Sequence, residues 1–464
     1  MSFFFYTINP MIVMKFGGSS LANAARIRHV AEIVKTQLDK KPVLVLSAMG
    51  DTTDHLLDAG GKALQSNDEK FKEVSVELVV KPHLDTVQKL KLTGSVKKEI
   101  SLMTEELKKL LSGIFLIKEM SPRTKDFLVS FGERLSVRIF AAYLNSLGIK
   151  ALACDAFDYG FFSDSGFGSA ELAKESWELI PKKIKPLVKD GIIPVVTGFI
   201  AKDANGSITT LGRGGSDLSA TMIAAACKAP EVQVWKDVDG ILTADPRIVD
   251  KAFPVETVTY EEAAELAYFG AQVLHPRAMQ PCIKTGTPVL VKNSYNISAA
   301  GTRIVAAHEK KSSTVRAITF RRNVTLVDIV STRMLGQYGY LAEVFSCFAR
   351  HKISIDMVAT SEVSVSLTLD SAQDLSGVKK ELSRIANIDV KTGKGIVTII
   401  GNVKRSSEIL SRAFRICQVT GIPVQMISQG ASKVNISFIV NDSEAAEAVK
   451  ALHLEFFGGV GRKK

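Results

Sequence analysis

The sequence predicts an α/β layered domain with a mainly parallel sheet, followed by two small βαββαβ units. Three observations carry this expectation. Strand-like and helix-like runs alternate from Met11 to Val291, the mark of a parallel sheet. A polar stretch, Ala306–Ser313, then interrupts the pattern. Beyond it a strand–helix–strand–strand–helix order occurs twice, and Ile353-Ser-Ile-Asp-Met357 recurs as Ile422-Pro-Val-Gln-Met426.

In the first part, Met11–Phe16 reads as a strand and Ala24–Leu38 as a helix, with Ile27, Val30, Ile33, Val34 and Leu38 on one face. Pro42–Leu46 is a second strand. Ser130–Leu147 is a helix whose Phe131, Leu135, Ile139 and Tyr143 share a face. Ile192–Gly198, Val232–Trp235 and Pro288–Val291 are short buried strands. The first repeat unit comprises strand Val324–Val330, helix Tyr340–His351, strands Ile353–Val358 and Val363–Leu369, helix Ala372–Ile385 and strand Ile388–Lys391. The second comprises strand Ile396–Ile400, helix Ser406–Thr420, strands Ile422–Ile427 and Val434–Val440, and helix Glu444–Phe456. It lacks a final strand, which Val315–Phe320 could supply, so that the first unit is inserted within the second. The expected domains are 1–305, a linker and donated strand at 306–320, then 321–392 and 393–464.

Bulk properties narrow the function. The chain has 464 residues, enough for two or three domains, and is 46% hydrophobic and 23% charged. The formal charge is +11, with small clusters at Lys108-Lys109, Lys182-Lys183 and Arg462–Lys464. No basic run is interleaved with aromatics, which argues against nucleic-acid binding. An anionic substrate and a nucleotide account for part of the excess. Cys154, Cys227, Cys282, Cys347 and Cys417 are far apart and match no zinc or redox spacing. The expectation is reduced thiols in a cytoplasmic chain without a dedicated metal site. No run of about 20 apolar residues predicts a membrane span. The apolar N-terminus lacks a basic leader, and Met1, Met11 and Met14 are all candidate starts.

The turn Thr210-Leu-Gly-Arg-Gly-Gly-Ser-Asp217 is the most informative motif. Helix-start N–H groups favour anions, and an arginine offers a fork for a carboxylate or phosphate. Helix capping by Ser216 or Asp217 is the bland alternative, but capping does not call for three glycines around an arginine. Lys15-Phe-Gly-Gly-Ser-Ser20 lies between the first strand and first helix. It is either a tight turn or a phosphate cradle with a charge-neutralising lysine. Ser47–Asp54 is a strand-end loop. Ser130-Phe-Gly-Glu133 is either a capping box or a carboxylate placed for a substrate ammonium. Trp235–Arg247 is a turn-rich loop suited to turn formation or to a nucleotide. Phe269–Arg277 contains His275, whose structural reading is preferred.

These blocks, in this order, resemble aspartate kinases, a branch of the amino-acid kinase family, and the repeated units resemble paired ferredoxin-like ACT domains. The resemblance covers residues 12 to 460 and implies an amino-acid kinase-like αβα sandwich. It implies transfer of phosphate from ATP, with Mg2+ carried by the nucleotide, to the β-carboxylate of L-aspartate. The product is 4-phospho-L-aspartate, the first step toward lysine through diaminopimelate, threonine and methionine. The resemblance makes Lys15 and Asp217 catalytic and places nucleotide at Lys15, Gly17, Gly18, Ser19, Lys236, Asp237, Leu242, Arg247 and Gln272. Aspartate falls to Thr53, Glu133, Arg213, Gly214, Ser216 and Asp217. Gln272 stands where some members carry lysine, and Leu242 where some carry tyrosine. A carboxylate is already a nucleophile at neutral pH, so no general base is required.

The ACT pair implies feedback control. Met334, Gln337, Gly339, Leu341, Ser354, Ile355, Asp356, Thr360 and Ser361 fall where lysine-inhibited relatives bind lysine, with Asp356 toward its ammonium. Gln337 stands where some relatives carry serine. The resemblance also implies a monofunctional enzyme assembled as a homodimer or homotetramer through its ACT units. Another amino-acid kinase, or an amino-acid sensor with an inactive kinase domain, are the alternatives. The Phe-Gly-Glu-Arg block and the ACT pair weigh against the first. The presence of Lys15, Glu133, Arg213 and Asp217 weighs against the second.

Overall fold

The computed structural model describes residues 11–268, 274–308, 314–370, 373–401, 405–429 and 434–458. They fall into two compact units. The first runs to Ile241 and also includes Glu256–Tyr260 and Val273–Ala307. The second holds Leu242–Val255, Glu261–Gln272 and the chain from His308.

The strands of the first unit are β1 (Val13–Phe16), β2 (Val43–Leu46), β3 (Ala151–Cys154), β4 (Ile193–Thr197), β5 (Ile200–Lys202), β6 (Ile208–Thr210), β7 (Val232–Lys236), β8 (Thr257–Thr259), β9 (Val289–Asn293) and β10 (Thr302–Val305). The helices are α1 (Ala24–Lys35), α2 (Thr52–Gln65), α3 (Phe71–Lys89), α4 (Ser95–Ile117), α5 (Pro122–Ser146), α6 (Ser176–Lys189), α7 (Gly215–Cys227) and α9 (Pro276–Thr285). Helix α8 (Tyr260–Tyr268) starts at the last residue of a first-unit segment and continues into the second unit.

Eight strands form one sheet in the order β3-β4-β2-β1-β7-β9-β10-β8, and β5-β6 form a separate hairpin. Pairing is parallel from β3 through β9, and only the β9–β10 pair is antiparallel. β1 and β2 are buried throughout, which explains their unbroken apolar runs. Phe16 stacks on Trp235 across β1 and β7, with ring centroids 5.9 Å apart.

Helix α5 begins at Pro122, not at the expected Ser130. The Ser121 side chain accepts from the Thr124 N–H at 3.2 Å, and Pro122 takes the first helical position, where no N–H partner is required. Ser130 and Glu133 therefore lie inside the helix, and the capping-box reading is ruled out. Thr53 and Asp54, expected in a strand-end loop, lie in the first turn of α2, and α3 and α4 carry no motif.

The second unit contains β11 (Val315–Val330), β12 (Met357–Thr360), β13 (Ser364–Asp370), β14 (Asn387–Gly401), β15 (Met426–Ser428) and β16 (Asn435–Asn441). Its helices are α10 (Tyr340–Arg350), α11 (Ser376–Leu382), α12 (Ser406–Thr420) and α13 (Asp442–Phe457). The strands form one antiparallel sheet, β12-β13-β11-β14-β16-β15. The two strands expected at 388–391 and 396–400 are one continuous strand, because β11 pairs along its whole length. Val324–Val330 joins β13 and the first half of β14, and Val315–Arg321 joins the second half. A register shift separates the halves, where Asn323 adopts φ 56°. The strand expected at 353–358 starts at Met357 instead. Ile353 still belongs to the helix exit, its N–H donating to the Phe348 carbonyl at 3.0 Å.

One buried carboxylate ties the first unit's helical layer to its hairpin. Asp126 on α5 is 2% exposed. It accepts from the Gly168 N–H at 2.9 Å, the Thr210 N–H at 2.8 Å and the Thr210 hydroxyl at 2.9 Å. Burial raises its pKa against the pull of these donors. Asp126→Ala leaves the donors unsatisfied, and the expected loss is about 2–3 kcal/mol in urea unfolding. Asp126→Asn is expected to lose less. Equal stability of wild type and Asp126→Ala would show that solvent replaces the carboxylate without cost.

Candidate active site

The sheet order itself marks where a ligand binds. The chain passes from β1 to β2 on one side and reaches β7 on the other, so β1 is a switch point with a crevice at its C-terminal end. The loops leaving β1 and β2 meet there through their backbones. The Gly50 N–H donates to the Gly18 carbonyl at 3.1 Å. A Cβ on Gly18 would sit 2.8 Å from the Ala48 carbonyl oxygen, so the close approach requires glycine. Ser19 is exposed at the turn, and its carbonyl accepts from the Tyr295 hydroxyl at 3.2 Å.

The turn after β6 is built from left-handed glycines, Gly212 at φ 73° and Gly214 at φ 74°. A Cβ on Gly214 would lie 2.7 Å from the His275 Cβ. Gly214 is the N-cap of α7, without a side-chain cap, and the Gly215 N–H donates to the Gly212 carbonyl at 2.9 Å. The Arg213 side chain between the glycines is exposed and makes no hydrogen bond or ion pair among the described residues. His275 caps α9 by accepting from the Arg277 N–H at 3.3 Å, the structural role preferred from sequence.

Asp217, in the first turn of α7, is 4% exposed and is bracketed by two lysines. Lys15 Nζ from β1 lies 2.7 Å from Oδ1, and Lys236 Nζ from the end of β7 lies 3.3 Å from Oδ2. Burial opposes ionisation of Asp217, yet the lysine charges outweigh it and hold the carboxyl below its usual range. Burial lowers the Lys236 pKa more than Asp217 restores it. The acid expected opposite a substrate ammonium is therefore the centre of a cation–anion–cation cluster.

Glu133 provides the other acid. It is 3% exposed, and its Oε1 accepts from the Ala48 N–H at 3.2 Å. Its Oε2 is buried without a hydrogen-bond partner. Burial pushes its pKa up to about 8, against the Ala48 N–H and the charge of Lys15. Such a group is neutral in isolation and ready to ionise when a cation arrives.

These features line one cavity of about 1050 Å³. Lys15, Gly18, Thr53, Glu133 and the whole stretch from Gly212 to Asp217 border it. Lys125, Asp126, Phe167 and Phe199 also line it and were missed from sequence. The Pro-initiated start of α5 at Ser121-Pro122 was the signal that could have placed Lys125 and Asp126.

The remaining expected nucleotide residues are dispersed. Asp237 is exposed beyond β7. Leu242 and Arg247 belong to the second unit. Leu242 forms a bridge with Pro254. Arg247 is 87% exposed and folds back onto Asp245, with Nη2 to Oδ2 at 2.7 Å and Nε to Oδ1 at 3.0 Å. Its fork is already occupied by that carboxylate. Gln272 lies outside the described residues.

Within the second unit, Met334 and Ile355 pack against the core beneath α10, and Gly339 is the α10 N-cap, followed by Leu341. Gln337, Ser354, Thr360 and Ser361 lie in or beside the loops flanking α10 and β12, and the Ser361 and Ser364 hydroxyls are 2.7 Å apart. Asp356 is not free. It pairs with Arg321 Nη1 at 2.9 Å and accepts from the Tyr268 hydroxyl at 2.5 Å.

Comparison with known proteins agrees with this geometry. The model for the amino acid kinase family matches residues 10–293, and that for the ACT domain matches 327–380 and 397–456. Aspartokinase 1, chloroplastic, of Arabidopsis thaliana is 50% identical over 459 residues, spanning 96% of this chain and 80% of the relative. E. coli aspartokinase III in complex with aspartate and ADP (R-state) has a TM-score of 0.80 at 32% identity, covering 96% of this chain and 100% of that one. The same enzyme in complex with lysine and aspartate (T-state) also gives 0.80, at 33% identity, covering 97% of this chain and 100% of that one. With its parallel αβα unit, its second unit of six antiparallel strands and these matches, the chain belongs to the aspartokinase family.

Proposed function

We propose that this chain phosphorylates the β-carboxylate of L-aspartate from ATP, forming 4-phospho-L-aspartate and ADP. The observation that carries the reading is the single cavity joining Lys15 to Glu133 and Arg213. A free guanidinium, a carboxylate with an unpartnered oxygen and a lysine at a glycine-rich turn match the α-carboxylate, the ammonium and the transferring phosphoryl group. The E. coli relative in complex with aspartate and ADP supports this assignment.

In the reaction a β-carboxylate oxygen attacks the γ-phosphorus while the bond to the ADP oxygen breaks. Lys15 offsets charge on the equatorial oxygens, and Gly17, Gly18 and Ser19 cradle the phosphates. Asp217 acts as a positioning group that pairs with Lys15 and Lys236 and aims them. Arg213, Gly214, Ser216, Thr53 and Glu133 orient aspartate. Glu133 is buried with one oxygen unpartnered, and Asp217 is already neutralised, so the residues fit a magnesium ion carried by the nucleotide rather than a protein cage. Bound there, that ion supplies further charge neutralisation.

The working division is a catalytic domain at 1–305, a connecting strand region at 306–320, and ACT units at 321–392 and 393–464. The ACT units join copies of the chain as a homodimer or homotetramer and make the enzyme the feedback-controlled entry to lysine, threonine and methionine synthesis. Lysine is the effector, a reading supported by the lysine-bound E. coli relative. Its ammonium would replace Arg321 or Tyr268 at Asp356, close to Met334, Gln337, Gly339, Leu341, Ser354, Ile355, Thr360 and Ser361. Among the described residues no helix is long and apolar enough to cross a membrane. The Arabidopsis relative named chloroplastic favours a plastid over the cytoplasm expected from sequence.

A coupled ADP-release assay over candidate amino acids tests the activity. Turnover is expected with aspartate and not with glutamate or acetylglutamate. Lys15→Ala is expected to lower kcat by about 10²–10³-fold with a smaller change in aspartate KM. No turnover with aspartate while ATP binds would refute the reading.

The Glu133 pKa sets a pH dependence. Aspartate's ammonium requires ionised Glu133, and below about 8 the free site holds it neutral. Aspartate KM is therefore expected to rise as pH falls from about 8 to 6, approaching tenfold per unit. Glu133→Gln is expected to bind weakly with this dependence removed. A flat KM profile in wild type would contradict the role.

For regulation, Asp356→Ala is expected to raise the lysine concentration for half-inhibition at least about tenfold, the loss of one charge-assisted contact. Inhibition at wild-type strength would remove Asp356 from the effector site.

A further inference from the structure

Outside the cavity, one cluster in the second unit brings together three chemically different metal ligands. Cys347 lies on α10, and His351 follows four residues later at its C-cap, so both project from the same helix face. Glu381 lies on α11. The Cys347 sulfur, a His351 ring nitrogen and a Glu381 oxygen all lie within 4.8 Å of one another.

Each member of the cluster is placed by something else. Cys347 is fully buried in the core under α10. Arg350 pairs with Glu381 Oε1, which leaves Oε2 turned to His351 Nε2 at 3.3 Å. The Cys347 thiol lies within 4.8 Å of the same carboxylate. The imidazole fits because residue 377 is glycine: a Cβ there would stand 2.8 Å from His351 Nδ1.

We propose that Cys347, His351 and Glu381 form a zinc-binding site bridging α10 and α11, with water as fourth ligand. Thiolate, imidazole and carboxylate together suit Zn2+ better than magnesium or calcium. Zinc bonds of about 2.0–2.3 Å place tetrahedral ligands about 3.3–3.7 Å apart, close to the His351–Glu381 separation. In the cluster the imidazole hydrogen-bonds to the carboxylate, and the thiol stands within 4.8 Å of both. Zinc replaces the thiol proton, and two anionic ligands balance its charge. The His351 and Glu381 side chains are 35% and 37% exposed, so the ion enters and the water coordinates from the solvent side. Spacing rules built on paired cysteines pass over this Cys-x-x-x-His arrangement, whose third ligand comes from a separate helix.

The test uses the full chain with Co2+ alone as a spectroscopic probe, then Zn2+ by calorimetry. One Co2+ per chain is expected, with a thiolate-to-cobalt charge-transfer band and tetrahedral ligand-field intensity. Cys347→Ser is expected to abolish the band. His351→Ala and Glu381→Gln, at more exposed positions, are expected to weaken Zn2+ binding at least about tenfold with circular dichroism unchanged. Absence of the band in wild type overturns the proposal. So does a band that survives Cys347→Ser, or Zn2+ affinity unchanged in both surface variants.

Discussion

The buried contact of Asp217 with Lys15 and Lys236 is the constraint around which the first unit is arranged. It joins three adjacent parts of the unit: β1, the end of β7 and the start of α7. A carboxylate this buried is costly unless paired, and a buried lysine is costly for the same reason. Together they set two lysines around one carboxylate, and Lys15 and Asp217 of this cluster line the cavity. The left-handed glycines before α7 are needed to bring Asp217 beneath β1, since the turn passes against His275 with no room for a Cβ at Gly214.

Two further charged groups of the cavity are unsatisfied in complementary ways. Glu133 is buried with one oxygen unpartnered, and Arg213 is exposed without a partner among the described residues. An α-amino acid carries the opposite charge for each. Its binding would lower the Glu133 pKa and remove the desolvation cost that the empty site bears. On the proposed function, selectivity would arise from groups whose cost is relieved only by the right ligand.

Much of this was legible in the sequence because glycine spacing and strand–loop–helix order are local signals. The turn at 210–217, the lysine near the end of β1 and the repeated ACT pattern needed no long-range information. Other parts were not legible, for identifiable reasons. Whether Glu133 caps a helix or faces a cavity depends on where α5 begins, and a Ser-x-x-Glu string occurs in either case. The partner of Asp217 depends on the order of strands in space, which brings residues 15, 217 and 236 together. Arg247 reads as a nucleotide ligand until its short-range pairing with Asp245 is seen. The continuous β14 was read as two strands, and its pairing with β11 does shift register where Gly393 adopts φ 67°, yet Lys391 and Lys394 on either side both pair with β11.

The central claim is that the Lys15–Asp217–Lys236 cluster faces the transferring phosphoryl group while Arg213 and Glu133 grip the acceptor. A crystal structure with aspartate and a non-hydrolysable ATP analogue tests it directly. The account predicts the aspartate α-carboxylate on Arg213, its ammonium on Glu133 Oε2, and its β-carboxylate aligned with a γ-phosphoryl group on Lys15. Aspartate bound with its ammonium on Asp217, or phosphates held away from Lys15, would contradict it.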